Sequence, residues 1–178
     1  MSKVIELAAF AHNRAVERAR RNWVKKFPDK LTASTKLGDL SDRTLITMAR
    51  LGEEMMTVIY ELVMAVLDLG PGGKFEFLPT EPKLKVLDAS LFLIDQLRWE
   101  CLARLGWIHG FAAEKHPIVE LVLDFEKIRK NFTPRFPSLV ESHPNYPEFR
   151  FRQNIDGEAM IRSMIPAALA ALGVRSSV

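Results

Sequence analysis

Apolar residues recur every three or four positions along most of this chain, which is the period of one face of an α-helix. Val4, Leu7, Ala8, Ala11, Ala15, Ala19, Trp23 and Phe27 make the first stripe and predict a helix from Val4 to about Phe27. Pro28 ends it, because the residue before a proline disfavours the α region. The small alanines in mid-stripe predict close approach by another helix. Residues 29–39 are polar and glycine-containing and read as a loop. The strongest periodicity follows. Leu45, Met48, Gly52, Met55, Ile59, Leu62, Val66 and Leu69 alternate steps of three and four. Ser41 is a plausible N-cap, with Asp42 in the first turn, where the helix dipole favours a negative charge. One long helix is predicted over 41–69, stopped by Gly70-Pro71-Gly72-Gly73.

A third helix is predicted from Pro82 to about Leu105, on the stripe Leu84, Leu87, Leu91, Ile94, Leu97, Cys101 and Leu105. Gly106 and Gly110 bracket a break. A fourth helix runs from Ala112 or Pro117 to Lys130, and a last one from about Asp156 to Leu172, closed by Gly173. Residues 131–153 contain Pro134, Pro137, Pro144 and Pro147, too many for a helix interior, and read as a long loop or arm. Lys74–Leu78 and Phe149–Arg152 alternate with a strand's period of two. Paired antiparallel, they would set Glu76 against Arg150 or Arg152. The pattern therefore predicts an all-α domain over residues 1–178, a bundle of four to five helices built on the long second and third, packed antiparallel. A minor two-stranded pairing of 74–78 with 149–153 is the one β element it offers.

Composition is that of a globular chain: 178 residues, 48% hydrophobic and 26% charged. One cysteine, Cys101, allows no internal disulfide and lies at a core-type position, as a small buried hydrophobe would. Glu6 and His12 interrupt any leader-like apolar run, and Glu61 and Asp68 interrupt the most apolar stretch. The expectation is a cytoplasmic protein with no membrane partner. Charge is unevenly spread. Residues 1–36 hold nine Lys or Arg against three acids, 37–126 eight against fifteen, and 127–178 eight against four. Such asymmetry bears on partners.

The basic face Arg14, Arg18, Arg21 and Lys25 of the first helix is the clearest partner signal, suited to a phosphate backbone or to an acidic protein surface. In the Pro-rich arm, Arg135, Arg150 and Arg152 lie among Phe132, Phe136, Phe149 and Phe151, as in a stacking surface or an arm that wraps a partner. The alternative for those phenylalanines is to fill gaps in the same domain's core.

Arg104 and His109 are an arginine and a histidine separated by four residues. That spacing resembles the motif of the helical-bundle ribonucleases of the HEPN superfamily. The resemblance implies a small α-helical domain, usually dimeric, in which His109 serves as acid or base on an RNA phosphodiester and Arg104 steadies the phosphate charge. Those ribonucleases usually place a polar residue directly after the arginine, where this chain has Leu105, and glycines flank the histidine segment here.

No metal set is formed: His116, Glu120 and Asp124 share a helix face, but no Glu-x-x-His pair exists. Gly70–Lys74 lacks the spacing of a phosphate loop and follows a helix. Nucleotide loop, metal cluster, nucleophile constellation and redox pair are all missing from the pattern, so no cofactor is expected. The reading that remains is a non-enzymatic protein-interaction or adaptor module, homodimeric through the apolar second helix. An RNA-binding protein or a HEPN-like ribonuclease is the alternative. A third reading places a ligand pocket among Met55, Met56, Trp99 and Trp107.

Overall fold

The computed structural model describes the backbone of residues 2–50, 52–132 and 136–175, and side chains from Phe10 onward except Ala11. The predicted apolar positions Val4, Leu7, Ala8 and Ala11, and Arg135 of the arm, lie outside the described side chains. Among the described residues there are eight α-helices, three short 3₁₀ segments and one two-stranded ladder. The all-α class and a minor β pairing are both present.

Helix α1 (Ser2–Lys26) buries Ala15, Val16, Ala19 and Trp23, and the alanines let it lie close along α3 (Glu53–Leu67). The helix stops ahead of Pro28, and the Trp23 indole donates to the Asp29 carbonyl at 2.6 Å. The polar-looking loop that follows is not peripheral. Leu31, Leu37 and Thr35 are buried in it, and the Thr35 carbonyl accepts from the Ile118 amide at 2.9 Å.

The single helix predicted over 41–69 is two. Helix α2 (Asp42–Ala49) opens on Ser41, whose hydroxyl accepts from the Thr44 amide, and closes at Arg50. Gly52, in extended conformation, starts α3. Glycine costs about 1 kcal/mol relative to alanine inside a helix, and the break lets α2 and α3 each pack on α4 (Thr80–Arg104). Helix α3 ends on Asp68 in the left-handed region (φ 61°). The Arg18 guanidinium donates to the terminal carbonyls of Ala65 (2.7 Å) and Val66 (3.0 Å), satisfying groups a helix end leaves unpaired.

The β pairing is also relocated. Residues 72–77 form a 3₁₀ helix, and Phe149–Arg152 belong to α7 (Tyr146–Ser163). The 3₁₀ segment is pressed on α3 so closely that a Cβ on Gly72 would fall 2.9 Å from the Glu61 Cα. The ladder present is β1 (Ile108–His109) against β2 (Ser138–Leu139), antiparallel, with Ile108 opposite Leu139. Val140 extends it by donating to the Trp107 carbonyl. The 74–78 and 149–153 alternation misled because a period of two over four or five residues also fits helical turns with aromatics on two sides.

The predicted fourth helix divides at Asp124 into α5 (Ile118–Leu123) and α6 (Phe125–Asn131). The last helix begins earlier than predicted, with Pro147 in the first turn of α7, where its missing N–H costs nothing. Helix α7 is interrupted by the non-helical Asp156, and α8 (Ile165–Arg175) follows after Met164. The arm therefore shortens to the segment ahead of Tyr146. Gly157 is wedged between the Phe136 and Phe149 rings, each 3.3 Å from where its Cβ would be. By length and hydropathy alone, Tyr146–Arg175 would reach across a bilayer. Within it, Ile161, Ile165, Ala168 and Leu172 are buried in the common core.

Candidate functional site

Two arrangements stand out, one closed and one open. The closed one is built on Arg104 at the end of α4. Its Nε donates to Glu100 (3.2 Å) and its Nη1 to Asp42 (2.5 Å). Its Nη2 reaches the carbonyls of Leu37 (3.0 Å) and Leu40 (2.6 Å). The side chain is only 16% exposed. The guanidinium thus ties the 29–40 segment and the start of α2 to α4, with every nitrogen engaged.

Asp29 extends this latch by accepting from the Ser41 amide (3.1 Å) and hydroxyl (2.8 Å). Burial pulls its carboxyl upward, but hydrogen bonds from Thr44 and Ser41 and the Arg104 charge outweigh burial and hold it below the usual value. Glu100 goes the other way, because burial raises it more than Arg104 lowers it. The signs follow by linkage. Asp29 contributes stability that is present above its unfolded value and lost as pH falls through its lowered one. Glu100 contributes stability only at acid pH, lost as pH rises through its raised value. His109, the other half of the arginine–histidine spacing, is exposed on β1, and no hydrogen bond joins it to Arg104. Cys101, next along α4, is fully buried, and burial pushes its thiol up to about 12. A thiol so raised stays protonated at neutral pH.

The open arrangement is a cleft of about 800 Å³ between α4, α6, α7 and the residues Phe132, Phe136 and Pro137. Its volume falls within the range of ligand-sized clefts. Phe92, Trp99, Phe111, Phe125, Phe132 and Phe136 line it. They converge because α4 presents Phe92 and Trp99 seven residues apart on one face, while the β1–β2 ladder brings Phe111 and Phe136 alongside. At one end Arg162 of α7 lies 5.0 Å from the centre of the Trp99 ring. Asp95 holds it with two bonds of 2.7 Å, and Glu158 holds it at 2.9 Å. The hydrogen bonds that Arg162 donates to Asp95, and then to Glu158, raise its pKa despite burial, so it stays charged at all ordinary pH. Leu91, 59% exposed, forms part of the cleft edge.

The residues singled out by sequence scatter across the molecule. Arg14, Arg21 and Lys25 are exposed along α1, Arg14 lying 5.7 Å from the Phe10 ring centre. Arg18 does not belong to that free face, since it caps α3 and lies 3.4 Å from Asp68. Arg150 is exposed on α7, and Arg152 is clamped along the same helix by Glu148 and Asp156. The arm's phenylalanines divide three ways. Phe149 is core, Phe132 and Phe136 line the cleft, and Phe151 is 85% exposed. Of the pocket expected among Met55, Met56, Trp99 and Trp107, only Trp99 borders the cleft. Trp107 instead meets His143 edge-on at 5.5 Å. His116 and Glu120 do meet, at 3.0 Å, but no group of three potential metal ligands forms among the described residues. Sequence reading missed Arg129, Lys130 and Arg162 of the cleft, because each carries an ordinary helix-surface spacing.

No protein-family model, curated protein or solved structure matches this chain.

Proposed function

We propose that this chain is a non-enzymatic helical interaction module that docks its partner in the cleft between α4, α6 and α7. The observation that carries the reading is the aromatic wall of that cleft, where the half-buried Phe92, Phe132 and Phe136 rings meet solvent beside a charged rim and Trp99, Phe111 and Phe125 are buried behind them. Aromatic and arginine side chains at a concave site are the usual anchors of protein recognition. Selection of random displayed peptides against the immobilised protein tests it. Recovered peptides are expected to bind the wild type and to lose binding to a Leu91→Arg, Phe132→Asp variant that keeps its helical circular dichroism. Peptides that bind both proteins equally, or an empty selection, would remove the reading.

The homodimer expected from sequence has a different support from the apolar second helix first invoked for it. Phe151 and Ile155 stand four residues apart on α7 and are 85% and 79% exposed. Light scattering on the wild type is expected to give twice the chain mass, and Phe151→Asp with Ile155→Asp to give the chain mass. A monomer at every concentration would end the idea.

The second reading is nucleic-acid binding, favoured by the exposure of Arg14, Arg21 and Lys25 on α1. Single-stranded RNA titrated at about 50 and 200 mM salt separates it, since phosphate contacts weaken steeply across that interval.

A further inference from the structure

The charges around the cleft point to what its occupant looks like. Three of the four carboxylates that border it are already committed. Asp95 and Glu158 hold Arg162, and Glu126 lies 4.0 Å from Lys85. Its other two cations are not committed. Arg129 and Lys130, in the last turn of α6, face the cleft with no carboxylate within ion-pair distance among the described residues. Lys115 joins them, its ammonium 5.9 Å from the centre of the Phe132 ring and likewise without a carboxylate partner. Phe132, itself part of the cleft, is therefore an apolar contact point flanked by three available cations. Opposing them in sign are Asp88, the one negative charge that Asp95 and Glu158 leave over Arg162, and Glu126, whose side chain is 70% exposed beside Lys85.

Resting on the cleft reading above, we propose that the occupant is an acidic peptide segment. It would bring a large apolar or aromatic side chain onto the phenylalanine lining and set carboxylates against Lys115, Arg129 and Lys130. The apolar side chain supplies affinity by leaving water, whereas the carboxylates fix orientation and accelerate encounter. Cations at a partly solvated rim are screened by salt over about 8–10 Å near physiological strength, so the electrostatic part is salt-sensitive and the apolar part is not.

The test uses fluorescein-labelled twelve-residue peptide pools of three compositions, read by anisotropy. One pool carries a central Phe, Trp or Leu flanked by random Asp and Glu. A second has the same centre flanked by Lys and Arg. A third keeps the acidic flanks around a central Ser. The first pool is expected to bind at least about tenfold more tightly than either of the others, equivalent to 1.4 kcal/mol. Arg129→Glu with Lys130→Glu, two exposed helix positions that leave the fold intact, is expected to abolish the preference for acidic flanks or invert it. Phe132→Ser is expected to remove the preference for the apolar centre.

Equal binding of acidic and basic pools, or no binding by the first pool, overturns this inference. If displayed peptides that dock in the cleft prove basic or uncharged, the interaction reading stands and this assignment falls. If neither class maps to the cleft, both fall. Single-stranded RNA whose binding is lost in the Arg129→Glu, Lys130→Glu variant would assign the rim to nucleic acid and overturn the peptide assignment.

Discussion

Arg104→Ala is expected to lower the stability of the fold by about 3 kcal/mol, the low end of the 3–5 kcal/mol for stripping one partner from a buried ion pair. The low end applies because Asp42 is 35% exposed and can rehydrate when its partner goes. Glu100, with an 11% exposed side chain, cannot do so readily, and the carbonyls of Leu37 and Leu40 lose their donor with it. A further substitution discriminates the cause. Glu100→Gln removes the carboxylate left unpaired by Arg104→Ala, so the double variant is expected to recover part of the lost stability. Urea unfolding followed by circular dichroism reads both. An Arg104→Ala protein as stable as the wild type would sink the latch.

Trp99→Ala is the second large expectation. The Trp99 side chain is 3% exposed, and such deletions cost about 3–5 kcal/mol through lost transfer energy and the void left behind. Here the void opens on the cleft, so water can enter it and the cavity penalty is partly relieved. About 3 kcal/mol is expected, or a drop in Tm of roughly 6–12 °C for a chain of this size. Arg162 loses the ring beneath it but keeps Asp95 and Glu158, so Arg162→Ala alone should cost less. Trp99→Phe should restore most of the stability, because a smaller ring still fills the wall. A Tm shift under about 2 °C for Trp99→Ala would mean that this wall is not part of the stabilising core.

The latch and the cleft differ in how far they are legible. Arg104 attracts notice in the sequence for its distance from His109, yet the structure turns its guanidinium toward Glu100 and Asp42, sixty-two residues back along the chain. No local pattern encodes that contact, because Asp42 and Arg104 come together only through the packing of α2 on α4. Likewise, Phe92 and Trp99 show the helical stripe of α4, but the stripe does not say that α6, Phe132 and Phe136 stop short of covering it. Arg129 and Lys130 read as a helix's basic last turn, which is favourable for the dipole alone. Their lack of carboxylate partners is a fact of three-dimensional placement.

By itself the sequence determined the helical class, the approximate positions of the first and third predicted helices, the stop at Gly70–Gly73 and the burial of Cys101. These follow from short-range physics: a 3.6-residue apolar period, prolines that forbid helix, glycines that relax it, and side chains that prefer to leave water. Only the tertiary structure decided the break at Gly52, the extension of α7 back to Tyr146 and the site of the β ladder. It also decided which arginines are committed. A Gly52 break costs little locally and was selected because two shorter helices each reach α4, and the two-residue strands exist only because the 136–140 segment passes beside Ile108. Arg18 and Arg21 share one helical face in sequence, yet the α3 terminus lies within reach of the first and not the second. Long-range proximity is set by how all the faces are covered at once, and no window of neighbouring residues contains that information.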